Sequence, residues 1–193
     1  MTISTLSIWL ELTGLFLKFK TMARTLRIQK TTVFAFGEGE AERIFLKHVR
    51  SLYAVNKTSV RVDDAGGKDV SYILEKAVRV RGNLKYNHSF ILLDTDREWT
   101  NPVKNKAKAK GFELVGSSPC IEGLLLTVLE PATNHSNRSS SDCKRAFQSS
   151  YLNGKRTLTD GDCKRLFSKS VIDGVISDIP ILKRIIKIME GNF

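Results

Sequence analysis

A chain of 193 residues, 41% hydrophobic and 26% charged, can bury one sizeable core and has an ordinary globular composition, which excludes collagenous, wholly disordered and disulfide-rich classes. Thirty-one Lys and Arg face 20 Asp and Glu, for a formal net charge of +11. That excess favours a polyanionic partner such as DNA or RNA over a merely soluble basic protein, although charge alone names no sequence.

The chain opens on "MTISTLSIWLELTGLFLKF", apolar but interrupted by Glu11. It is too short and broken to span a bilayer, and it lacks the basic start and small-residue cleavage site of a signal peptide. Two readings stay open. One is an extra amphipathic helix; the other, slightly favoured, starts the protein at Met22 in "MARTLRIQK".

From residue 31 onward strands and helices are expected to alternate. "TTVFAF" (31–36) is a β-rich apolar run ended by Gly37, and Phe45, Val49 and Leu52 then fall at helical spacing from Glu40 to about Val55. "TSVRVDD" (58–64) alternates as a strand and is followed by a Gly66-Gly67 turn. No Lys-Ser/Thr follows that turn, so it is not a phosphate loop. Val70, Ile73, Leu74, Ala77 and Val78 make a second helix, and "HSFILLD" (88–94) a third strand. "PVKNKAKAK" (102–110) suits a basic helix with Pro102 near its start, "FELVGS" (112–117) a fourth strand, and "IEGLLLTVLE" (121–130) an apolar helix stopped by Pro131. This alternation predicts an α/β fold, a parallel sheet of about four strands with helices on both faces.

Residues 132–140 are polar and read as a loop, and the rest as a helical C-terminal extension. "DCKRAF" (142–147) and "DCKRLF" (162–167) each suggest a helix capped by its Asp, a likeness best put down to coincidence. Asp178 with Pro180 opens a last helix whose Leu182, Ile185, Ile186 and Met189 form one apolar stripe expected to dock on the domain. The expected division is an N-terminal extension (1–30), an αβ domain (31–130) and a basic helical extension packed on it (131–193). Cys120, Cys143 and Cys163 are odd in number with no CxxC pair, which suits a reducing cytoplasm and makes no zinc site.

The chemistry lies in separated acidic residues. Glu38 follows the first strand in "FGEGEAE", Asp94 and Asp96 end the third in "LLDTD", and Glu122 opens the helix after the fourth in "SSPCIEGLLL". All three places fall at the carboxyl edge of a parallel sheet, where sites form. Alternate residues of an extended segment point the same way, which suits a DxD pair to holding one ion. Converging carboxylates repel, and a hard divalent cation relieves this through oxygen ligands.

In this order the motifs resemble those of Toprim domains: Glu38-Gly39 with Glu42 four positions on, then "LLDTD". More narrowly, "SSPCIEGLLL" is similar to a stretch of the RloB-like proteins of bacterial restriction and phage-defence loci. The resemblance covers about residues 31–130 and departs at Ser118, Ile121 and Leu124, where Asn, Phe and an aromatic are usual. It implies a Toprim fold, Mg²⁺ (with Mn²⁺ as a substitute) and phosphodiester hydrolysis in DNA or RNA, in antiviral defence.

Asp94 and Asp96 are then expected as principal metal ligands and Glu38 as a further ligand or general acid/base. Glu42 would help hold a second metal, and Glu122 would bridge to it or orient Lys and water. Lys104, Lys106, Lys108 and Lys110, with Lys144, Arg145, Lys164 and Arg165, form a candidate track for nucleic-acid phosphates, against the alternative of a solvated charge run. His88 reads as a surface or edge residue. Trp99 either stacks on a base or covers the sheet edge. The competing functions are a non-catalytic nucleic-acid-binding module and a scaffold subunit of a defence complex; a homo-oligomer is compatible with the sequence, and no membrane partner is expected.

Overall fold

Four segments, each five to seven residues long, become the strands of one sheet: β1 (Thr31–Gly37), β2 (Thr58–Asp64), β3 (His88–Asp94) and β4 (Glu113–Ser117). Every pairing is parallel, and the order is β2-β1-β3-β4. Each strand is linked to the next through a helix: α1 (Glu40–Tyr53), α2 (Val70–Arg81) and α3 (Asn101–Ala109), with α4 (Ile121–Leu129) after β4. A tail of α5 (Ser140–Tyr151), α6 (Asp160–Leu166), α7 (Lys169–Val175) and α8 (Pro180–Glu190) follows. This computed structural model describes residues 30–54 and 57–193. The expected N-terminal extension, apart from Lys30, lies outside the described residues.

The two-residue period of β1 and β3 divides the core in two. Val33, Ala35, Phe90 and Leu92 face α1, α4 and the tail helices, in a cluster that includes Phe45, Val49, Leu125, Phe147 and Ile185. Phe34, Phe36, Ile91 and Leu93 face α2 and α3, against Ile73, Leu74, Ala77 and Ala107. The fold is therefore α/β with helices on both faces. Among the described residues no helix is long and apolar enough to cross a membrane.

The tail belongs to the same core as the sheet. Leu182, Ile185, Ile186 and Met189 of α8 are all buried, and Arg184 makes a two-pronged bond to Glu113 of the edge strand β4, at 2.8 and 2.7 Å. At that amino end of the sheet His88 also meets Glu113, at 2.8 Å, and stacks on Phe193. His88 is thus far in the fold from the acidic rim, in keeping with an edge role.

The two DCKR segments differ from expectation in their caps. The N-caps are Ser139 and Thr159, not Asp142 and Asp162, which stand three residues later. Ser139 Oγ donates to Asp142 Oδ2 at 2.7 Å and accepts from Asp142 N at 3.1 Å; Thr159 and Asp162 repeat the pattern at 2.6 and 3.2 Å. Cys143 and Cys163 point into the core from equivalent positions. The shared letters thus carry a shared local structure: a hydroxyl cap, an N3 carboxylate and a buried thiol.

Candidate active site at the carboxyl rim of the sheet

From β1 the chain runs through α1 to β2 on one side, and from β3 through α3 to β4 on the other. The crossover direction reverses between β1 and β3, which opens a crevice beyond their carboxyl ends. Glu38 leaves β1 there and Asp94 ends β3 there. The Glu38 amide donates to Leu92 O at 3.0 Å and its Oε2 accepts from Asp94 N at 3.1 Å, so the two acidic positions are tied through the sheet's own hydrogen bonding. Gly37 permits this: a Cβ on it would sit 2.7 Å from Glu42 Cβ and 3.1 Å from Arg43 N, so only glycine lets α1 start so close to β1. The Gly66-Gly67 turn, with φ of 76° and 72°, closes over the same loop, where Gly67 N donates to Glu38 O at 2.9 Å.

Asp94 is 6% exposed. Its Oδ1 accepts from Ser117 Oγ at the end of β4 and from Ile121 N at the start of α4, each at 3.0 Å. Burial first, and then the charge of Glu38, push its carboxyl up to about 7, while Ser117 pulls it down and Glu122 pushes it further up. Glu42, 4% exposed, turns back to the helix start, its Oε2 accepting from Gly39 N at 2.8 Å. Burial and then Asp94 push it up to about 8. Glu122 has a buried Oε2 with no hydrogen-bond partner. Four carboxylates from three rim segments thus lie in one another's fields. Lys144, exposed on α5, lies within their field: burial works against its charge, but Glu122, Asp94 and Asp96 outweigh that and raise its pKa.

The expected equivalence of Asp94 and Asp96 does not hold. The strand ends at Asp94 and the chain bends over the next three residues, because Thr95 N and Asp96 N both turn to Pro119 O, at 3.1 and 3.0 Å. The period of two therefore stops where the pair begins. Asp96 is exposed and its Oδ2 accepts from Ser140 Oγ at 2.6 Å, at the first turn of α5.

Among the described residues, no three His, Cys, Asp or Glu side chains close into a group that could hold a metal ion as they stand. Glu38, Glu42, Asp94 and Asp96 are each engaged by an N–H or O–H donor instead. The donor chemistry nevertheless fits a hard divalent cation. It is all oxygen, two of its carboxyls are held up by burial and by neighbouring carboxylates, and Glu122 Oε2 is a buried acceptor without a donor.

The basic residues part company. Lys104 borders a groove beside the 95–99 loop, while Lys106 pairs with Glu75 of α2 at 2.8 Å. Because α3 runs back from the end of β3 to the start of β4, Lys108 and Lys110 lead away from the carboxyl rim. Arg145 and Arg165 pair with the N3 carboxylates Asp142 and Asp162, at 2.6 and 3.2 Å, and Arg165 also donates to Tyr151 O. Lys164 is exposed on α6. Of the eight cations expected to form one track, Lys144 feels the field of the carboxylates and Lys104 borders the groove beside their loop.

Several contributors were not singled out from sequence. Ser117 and Ser140 hold the two aspartates, and only their place in "SSPC" and at a helix start hints at it. His135, fully buried in the polar 132–140 loop, lies 3.1 Å from Glu130 Oε2, and burial lowers its pKa. Tyr151 OH donates to the other Glu130 oxygen at 2.8 Å. Glu122 also borders a small, partly open cavity of about 60 Å³ walled by Leu125, Phe147 and Leu158, space for a few waters.

No protein-family model, curated protein or solved structure matches this chain.

Proposed function

We propose that this chain is a Mg²⁺-dependent nuclease of the Toprim, RloB-like kind, hydrolysing phosphodiester bonds in DNA or RNA. The observation that carries the reading is the meeting of Glu38 and Asp94 at the reversal point of a parallel sheet, with Glu42 and Glu122 close enough to act on Asp94 electrostatically. A net charge of +11 supports a polyanionic substrate. The antiviral role and any partner subunit rest on the resemblance in "FGEGEAE", "LLDTD" and "SSPCIEGLLL", and the cytoplasmic setting on the odd number of cysteines without a CxxC pair.

Asp94, Glu38 and Asp96 would hold the cation, with Glu42 and Glu122 beside them. It would supply Lewis-acid polarisation of the phosphodiester and neutralise the carboxylate cluster. Ser117 Oγ and the Ile121 amide fix Asp94 in one orientation, and Ser140 does the same for Asp96. Lys144, exposed on α5 and within the field of Glu122, Asp94 and Asp96, is the cation that would meet a substrate phosphate there. In the metal-free protein burial and Asp94 push the Glu42 carboxyl up to about 8, and a cation beside it would draw it back toward the charged form.

A second reading is a non-catalytic nucleic-acid-binding module or scaffold subunit. It is favoured by the fact that four of the carboxylates are already satisfied by protein donors. Purified protein incubated with plasmid DNA and with transfer RNA, in Mg²⁺ or Mn²⁺ against EDTA, decides between the two. Metal-dependent cleavage abolished by Asp94→Asn is the expected result. Inactivity on both substrates in both metals, with binding retained, would leave the binding module.

A further inference from the structure

Beside the 95–99 loop lies an open groove of about 440 Å³, bordered by Arg97, Glu98, Trp99, Thr100, Asn101 and Lys104. Its volume is in the range of small-molecule sites, unlike the 60 Å³ cavity at Glu122. Trp99 is fixed in it on two sides. The indole N–H donates to the carbonyl of Asp94 at 3.0 Å, and the six-membered ring lies over Gly116, where a Cβ would come within 2.9 Å of Cη2. A base resting on this indole would therefore be placed relative to Asp94 through one hydrogen bond.

The groove also has features suited to an anion. α3 begins in it, and its N-cap Thr100 makes no side-chain cap bond, so the first-turn amides of Asn101 and Val103 donate to no cap side chain. Lys104 borders the groove one turn on, and Arg97 also borders it, steadied by its bond to Lys68 O at 2.8 Å.

We propose that this groove binds one unpaired nucleotide of a single-stranded nucleic acid, with its base stacked on Trp99 and its phosphate held by Arg97, Lys104 and the start of α3. The occupant is single-stranded because the bases of a duplex stack on one another and leave no face for an indole. The inference rests on the nuclease reading for its purpose, since it sets the strand beside Asp94, but its test does not.

The test is fluorescence anisotropy in EDTA, with a labelled oligothymidylate strand and a blunt duplex of equal length. Trp99→Leu weakens strand binding by roughly 5- to 150-fold, the range of one base–aromatic stack, and leaves duplex binding unchanged. Trp99→Phe keeps most of the strand affinity, and Lys104→Glu, an exposed side chain whose change spares the fold, weakens it as well. Melting curves report whether the Trp99 variants stay folded; should Trp99→Leu unfold, the Phe and Glu variants decide. Strand affinity indifferent to Trp99→Leu and Lys104→Glu, or equal losses for strand and duplex, overturns the proposal. Strand binding through Trp99 with no cleavage in Mg²⁺ removes the nuclease reading alone, and cleavage with Trp99-independent binding removes this one alone.

Discussion

Glu38 Oε2 and the backbone N–H of Asp94 meet at 3.1 Å across the ends of two adjacent parallel strands. The contact brings a negative charge to a carboxyl that is already buried, and Glu38 is the largest influence on Asp94 after burial itself. Glu38→Gln keeps an oxygen for the Asp94 amide and removes the charge. The Asp94 carboxyl is then expected to titrate below its present value of about 7, as followed by carboxyl-carbon NMR. An unmoved titration would show that Glu38 does not act on Asp94. Under the nuclease reading, the same variant loses Mg²⁺-dependent cleavage.

Glu42 gives a pH-dependent stability. Its folded-state pKa, about 8, stands above its unfolded value, so the folded chain binds the proton more tightly. That contribution is full below the unfolded pKa and is lost as pH rises through about 8. Glu42→Gln, which keeps an acceptor for Gly39 N–H, is expected to melt near wild type at about pH 5 and to exceed it by about 4 kcal/mol at about pH 9, in EDTA. A gap that stays constant across that range would exclude a buried titrating Glu42.

Gly116 marks how tightly the acidic loop sits on β4. A Cβ there would lie 2.7 Å from Thr95 Cγ2 and 2.9 Å from Trp99 Cη2, so both side chains must move. Gly116→Ala is expected to cost about 1–3 kcal/mol and to shift the Trp99 emission, because the indole leaves its place on the sheet. Wild-type stability with unchanged fluorescence would mean that the loop is not packed there.

Thr159 caps α6 and is clasped to Asp162 by two reciprocal hydrogen bonds. Thr159→Ala is expected to lower stability by about 1 kcal/mol, and Ser139→Ala on α5 by a similar amount, in denaturant titrations. If only one of the pair had an effect, the equivalence of the two DCKR segments would be superficial.

The sequence by itself determined the alternation of strands and helices, because buried parallel strands are short apolar runs and the intervening helices repeat at their own spacing. "TSVRVDD" and "HSFILLD" became β2 and β3 residue for residue. It also placed Glu38, Asp94 and Glu122 at strand ends or helix starts, since a charged residue that closes an apolar run marks where the sheet meets solvent.

Only the tertiary structure decided the strand order β2-β1-β3-β4, which makes Glu38 and Asp94 neighbours. It also decided that the chain bends at Thr95, since the carbonyl that turns it belongs to Pro119, far along the sequence. Lys144 in the field of Asp94, Ser140 on Asp96 and Trp99 on Gly116 arise in the same way. Each joins segments that share no local pattern, and such contacts are selected by the packing of the whole core, which no window of sequence contains.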